Sequence, residues 1–248
     1  LARDALRSAR EGHRWATNSY AASAQALLKK ALRASRKVAD KPLQGEGRDT
    51  AILATHYYGQ PFGPKELEAA MERAAFYGRK LCEHPTFQAA LEKANALLAI
   101  DDFGRFDLLD VPVLAVPDVV QRGEGETLRV IDWKTGTGVF ERAGTYADQL
   151  TGYALYAQRR WGIDAARIAC EVAVLHDGST VQVPVTEEVL RKTEGRIAAS
   201  ILAMQSRLRD LERNQAHRDD FPMQPNSHAP AACQRCFYRN VCYQGNTA

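Results

Sequence analysis

The chain has 248 residues, enough for one large domain or one domain with an appendage. Its apolar fraction of 45% is ordinary for a globular protein with a core, and a net charge of +3 from 33 basic and 30 acidic residues excludes an argument for a polyanionic partner from charge alone. No apolar run is long enough to span a bilayer, and the charged start Leu1-Ala2-Arg3-Asp4 has no signal-peptide pattern, so the expectation is a soluble, cytoplasmic protein without a membrane partner.

Residues 1–40 are rich in Ala, Arg, Lys and Leu and read as helix. The chain begins at Leu1 inside this helical stretch, which makes an N-terminal truncation an expectation. Lys41-Pro42 through Gly47 break the helix, a short segment follows at Ile52–Tyr58, and Gly59 through Pro64 form a turn. Pro64 suits a helix start, and Leu67, Met71, Ala74 and Ala75 keep helical spacing over Glu66–Arg79. A further helix is expected over Thr86–Leu98.

The character then changes to β-branched apolar runs. Val111–Gln121 and Leu128–Trp133 flank the polar turn Arg122-Gly123-Glu124-Gly125-Glu126 and read as a β-hairpin. Residues 145–161 return to helix, with Tyr146, Leu150, Tyr153, Ala154 and Ala157 on one face. Ile168–Leu175 and Thr180–Val185 read as a second hairpin around His176-Asp177-Gly178-Ser179, and residues 186–214 as a long polar helix. The linker Phe221–Pro230 leads to a cysteine-rich end. This order predicts an α/β (α+β) fold with a mixed sheet: a helical N-terminal flank over 1–97, a core over 98–220, and a cysteine segment over 221–248.

Three residues carry the chemistry of the core. Asp118 follows Pro117, and Asp132-Trp133-Lys134 ends the next strand. Asp132 and Lys134 are two residues apart, so on a strand they share a face, and a hairpin brings Asp118 beside Asp132. Singly, each reads as a turn residue or a solvated charge. Together they interrupt the apolar runs Val113–Val120 and Val130–Ile131, and polar groups embedded in apolar strands need a reason. Two carboxylates suit a hard cation such as magnesium, with the Trp133 carbonyl as a further ligand and Lys134 placed to orient water or stabilise phosphoryl charge.

Of the cysteines, Cys82, Cys170, Cys233, Cys236 and Cys242, the last three form C-x2-C-x5-C. An odd number argues against a disulfide framework, and three thiolates this close suit one metal centre. His228 with the three would make a zinc set.

Pro117-Asp118, then Asp132-Trp133-Lys134-Thr135-Gly136, then Gln149-Leu150-Thr151-Gly152-Tyr153 resemble the signature of the PD-(D/E)XK nuclease superfamily in its RecB-like branch. The resemblance implies a restriction-endonuclease-like mixed sheet flanked by helices. It implies a magnesium- or manganese-dependent deoxyribonuclease, exonuclease-like, in repair, recombination or defence, with Asp118, Asp132, Lys134, Gln149 and Tyr153 at the site. The alternative is a non-cleaving nucleic-acid-binding module of the same fold. Partners implied are DNA and a helicase or other repair or defence proteins. Relatives in this branch, AddB and the CRISPR-adaptation nucleases among them, close with the same cysteine spacing and hold a [4Fe–4S] cluster with a fourth Cys far upstream. Here Cys82 or an N-terminal Cys outside the chain would serve, with Cys170 read as a buried strand residue. An upstream acid and a His often complete the metal site, with Glu92, Asp101 and Asp102, and His56 and His84, as candidates.

Overall fold

The computed structural model describes residues 1–39, 52–57, 59, 61–137 and 143–220, so Cys233, Cys236, Cys242 and His228 lie outside the described residues. In chain order the elements are α1 (Ala2–Arg10), α2 (Ser19–Ala39), α3 (Ala54–Tyr57), α4 (Pro64–Glu83), α5 (Pro85–Glu92), β1 (Leu97–Ile100), β2 (Gly104–Leu108), β3 (Val111–Ala115), β4 (Val119–Arg122), β5 (Leu128–Lys134), α6 (Ala143–Trp161), β6 (Ile168–Val174), β7 (Thr180–Val183), α7 (Glu187–Gln205), β8 (Leu208–Asp210) and β9 (Gln215–Ala216). The chain divides into two compact units, Leu1–Gln25 with Glu72–Leu202, and Ala26–Met71 with Ala203–Ala248.

The first unit is built on a five-stranded sheet of order β1-β4-β5-β6-β7. Only β5 and β6 run parallel, in register from Leu128↔Ile168 to Lys134↔Val174, and α6 makes the crossover between them. Alternation along β5 decides what each face buries. Leu128 and Val130 join Val120, Cys170, Val172 and Val174 against Leu150, Ala154 and Ala157 of α6. Ile131 points the other way and joins Val119, Ala173 and Leu175 against Leu6, Tyr20, Phe87 and Leu91. Strands buried on both faces read as near-continuous apolar runs, and β6 does so except at Glu171, which pairs with Arg129. The mixed sheet with flanking helices is the expected fold class.

Several elements differ from the sequence reading, each for a local reason. The run Val111–Gln121 is two strands. Pro117 has no N–H for a ladder, and the chain breaks there: β3 pairs with β2, whereas β4 pairs with both β1 and β5. The N-terminal helix breaks at Gly12, whose φ of +87° is a left-handed cap conformation. The helix expected over Thr86–Leu98 stops at Glu92, and Leu97–Ile100 joins the sheet as β1. The long helix over 186–214 ends at Gln205; the Ser206 hydroxyl donates back to the Ala203 carbonyl at 2.9 Å, and β8 and β9 form a small hairpin instead.

Among the described residues no helix is long and apolar enough to cross a membrane.

Candidate active site

The site forms at the C-terminal end of β5, where an open α/β sheet leaves a crevice beyond its parallel strands. Asp132 and Lys134 face α6 from that end. The β4 ladder reaches β5 only as far as Val119↔Ile131, so the next outward-turned N–H, that of Trp133, lacks a backbone partner there. Asp118 supplies one: its Oδ2 accepts from the Trp133 N–H at 2.7 Å. This bond holds the first carboxylate against the strand that carries the second.

Gln149 of α6 completes the arrangement. Its Oε1 accepts from Lys134 Nζ at 2.9 Å, and its Nε2 donates to Asp132 Oδ1 at 3.3 Å and to the Tyr153 hydroxyl at 2.8 Å. Gln149 and Tyr153 are four apart on one helix face, which is what lets the pair act together. Lys134 Nζ also lies 2.6 Å from Asp132 Oδ2 and 5.0 Å from the centre of the Tyr146 ring. All five residues singled out from the sequence, Asp118, Asp132, Lys134, Gln149 and Tyr153, thus meet at one place.

The electrostatics are those of two carboxylates forced together with one cation. Burial pushes the Asp118 carboxyl up, the charge of Asp132 pushes it further, and the Trp133 N–H and Lys134 pull back only in part, leaving it at about 6. Burial also raises Asp132, against the opposing pull of Lys134. Burial lifts the Tyr153 hydroxyl, with the Gln149 hydrogen bond opposing it. Asp132 Oδ2 is shielded from solvent and has the ammonium contact but no donor in hydrogen-bond geometry. A divalent cation held by the two carboxylates would answer both facts, so the donor set fits one. Among the described residues no three His, Cys, Asp or Glu side chains converge as a metal-holding group.

Beside Asp118 and Trp133 lies a small pocket of about 200 Å³, also lined by Asp101 and Arg3. Asp101 takes a left-handed φ of +51° and donates its N–H to the Asp118 carbonyl at 2.9 Å, while its carboxylate accepts from Arg3 Nη1 at 3.1 Å. Of the acidic candidates, Asp101 is therefore the one at the site. Asp102 instead accepts from the Ile100 N–H and pairs with Arg7, and Glu92 is exposed at the end of α5. The sequence reading missed Arg3; its spacing of four from Arg7, opposite the Asp101-Asp102 pair, was the only signal.

Of the two candidate histidines, His84 serves the scaffold of the site. His84 is buried at the N-cap of α5, where Nδ1 accepts from the Thr86 N–H and Nε2 donates to the Ser179 carbonyl at 3.1 Å. Its ring meets Trp133 edge-on, so it supports the site strand from behind. His56 belongs to the second unit. Cys82 and Cys170 are both free and buried.

The sequence profile of the PD-(D/E)XK nuclease superfamily matches residues 10–243. A search of curated proteins finds no match.

Proposed function

The chain belongs to the PD-(D/E)XK nuclease superfamily, and on that premise we propose that it is a metal-dependent deoxyribonuclease of the RecB-like branch, exonuclease-like in action. The observation that carries this reading is the meeting of Asp118, Asp132 and Lys134 at one strand end, with Gln149 bonded to both Asp132 and Lys134. A purely binding module has no need to hold two carboxylates against their own repulsion. Asp118, Asp132 and the Trp133 carbonyl would hold a magnesium or manganese ion, whose charge neutralises the scissile phosphate and favours ionisation of water at the site.

The remaining roles belong to the chain. Lys134 presents an ammonium where negative charge grows on the phosphoryl oxygens. Gln149 keeps that ammonium and Asp132 in one geometry, and Tyr153 fixes Gln149 in turn. The Trp133 N–H holds the Asp118 carboxylate at the strand edge.

The cysteines Cys233, Cys236 and Cys242 support an iron–sulfur centre by their spacing, a [4Fe–4S] cluster in this reading, with zinc and His228 as the alternative. DNA is the partner, with a helicase or another repair or defence protein as the setting.

The second reading, a module that binds without cutting, has its own observation: among the described residues no histidine and no third grouped metal ligand joins the site. Incubation of the protein with DNA and magnesium or manganese, beside its Asp132→Asn variant, separates the two. Metal-dependent cleavage lost in the variant supports the nuclease; no cleavage by the parent under either ion favours the binding module.

A further inference from the structure

The second unit contains a feature that the catalytic reading does not use. Helix α2 runs for 21 residues with no acidic side chain, and its second half carries Lys29, Lys30, Arg33, Arg36 and Lys37. At about 100° per residue, Lys29, Arg33 and Arg36 fall within an arc of about 60°, along about 10 Å of helix. Together they line a cavity of about 440 Å³, with Leu32, Phe62 and His56 among its walls. None of the three cations has a carboxylate partner among the described residues. Like charges gathered on one face repel one another, and a cleft lined by one sign of charge draws in ligands of the opposite sign.

The His56 side chain is held in place by hydrogen bonding to Ser35. Ser35 is fully buried; its hydroxyl oxygen accepts from the Leu53 N–H at 2.8 Å and lies 2.8 Å from His56 Nδ1. His56 Nε2 is buried and has no hydrogen-bond partner among the described residues. The His56 ring in turn meets Phe62 edge-on at 6.2 Å. The cavity is thus lined by three cations, the Phe62 and His56 rings and aliphatic side chains.

We infer that this groove binds a single strand of nucleic acid, with Lys29, Arg33 and Arg36 on its phosphates and Phe62 against a base. Cations tracking a backbone beside an aromatic platform are the chemistry of single-strand binding. The nuclease reading is what makes nucleic acid the polyanion here, but the groove is tested without it.

The full chain is titrated in a chelator, so that nothing is cut, against a short labelled single-stranded oligodeoxynucleotide, across about 50–200 mM salt. Arg33→Gln with Arg36→Gln is expected to weaken binding about tenfold at the low end, and to flatten the slope of log affinity on log salt by about 1.4, at about 0.7 per lost phosphate contact. Phe62→Ala is expected to weaken binding about fivefold with the slope unchanged, because stacking is not an ionic contact. Circular dichroism confirms that each variant is folded. Parental affinity and slope in the double variant overturn the inference. So does full displacement of the strand by inorganic phosphate at equal concentration, which marks a small-anion site. The two readings fail separately: a chain that binds through Arg33 and Arg36 but never cuts removes the nuclease alone, and a chain that cuts while its variants bind like the parent removes the groove alone.

Discussion

Trp133 gives its backbone N–H to Asp118 Oδ2 at 2.7 Å, at the point where β4 no longer reaches β5. One hydrogen bond therefore replaces a rung of the sheet and fixes a carboxylate beside Asp132. Its pull on Asp118 is weaker than the combined push of burial and the Asp132 charge, which leaves that carboxyl at about 6.

The linkage gives the first prediction. An acid whose folded pKa is raised loses stability on ionising, so below about pH 4 there is no penalty, and the penalty grows as pH rises to about 6 and stays above it. Chelated protein should therefore lose about 2 kcal/mol of stability across that window through this group, after discounting for solvent screening. Asp118→Asn should recover that amount at pH 7 and flatten the profile, since the amide oxygen still accepts from Trp133. Magnesium should stabilise the parent more at pH 7 than at pH 5 and leave Asp118→Asn nearly unmoved. Urea melts at several pH values, with and without metal, measure all three.

On the proposed mechanism, Asp132→Asn and Lys134→Ala should each reduce metal-dependent cleavage by a factor of about 100 or more, because each removes a group assigned there to the metal or the reacting phosphate. DNA affinity should stay within about threefold of the parent, since binding rests on phosphate contacts spread over the surface. Cleavage rates and affinities measured in parallel test this, and parental rates in both variants would falsify the assignment of the site to this strand end.

The site was more legible in the sequence than the sheet around it. Asp132, Trp133 and Lys134 lie in one strand, and Gln149 and Tyr153 one helical turn apart, so local spacing alone groups each set. The strand pairing is non-local. Nothing in Val111–Gln121 itself shows that Val113 pairs with Phe106 while Val119 pairs with Ile131, although Pro117 marks where the change occurs. The parallel pairing of β5 with β6 depends on the crossover through α6, and Asp101 joined Asp118 only because β1 and β4 are neighbours. Arg3, 98 residues from Asp101, had no sequence signal of its own beyond its spacing from Arg7.

Gln149 has its oxygen and both its amide hydrogens engaged, by Lys134, Asp132 and Tyr153. Gln149→Ala should free the Lys134 ammonium and lower kcat by about 10–100-fold with little change in KM, the pattern of lost positioning. Tyr153→Phe should cost about fivefold or less, and the double variant should be no worse than Gln149→Ala, because the hydroxyl acts through the amide. Additive losses in the double variant would show that Tyr153 contacts the substrate on its own account.

His84 is 1% exposed, caps α5 and packs on Trp133. Removing it leaves the Thr86 N–H unpaired, takes one of two donors from the Ser179 carbonyl, and opens a cavity behind the site strand. His84→Ala should lower stability by about 2–4 kcal/mol while the metal concentration for half-maximal cleavage stays at the parental value. A shift of that concentration without loss of stability would instead return His84 to the metal site.

The last prediction separates the cysteines. Burial raises the Cys82 thiol, and burial with the neighbouring Glu171 charge takes Cys170 up to about 12. A cluster ligand must be a thiolate, and both of these groups resist ionisation. Cys170 moreover sits among Val130, Val172 and Leu150 and points its sulfur at the Leu150 carbonyl, 3.6 Å away, with no room for a metal centre. If the proposed iron–sulfur centre is present, protein purified without oxygen should therefore hold iron and sulfide in the parent, Cys82→Ala and Cys170→Ala, and lose both in Cys236→Ala. In the native parent at pH 8, a thiol-alkylating reagent should leave Cys82 and Cys170 unmodified until denaturant is added. Iron lost in Cys82→Ala, from protein that still melts cooperatively, would make Cys82 the fourth ligand and require the helices around it to open in the loaded protein. Zinc in place of iron in the parent would turn the choice of centre to the three cysteines with His228.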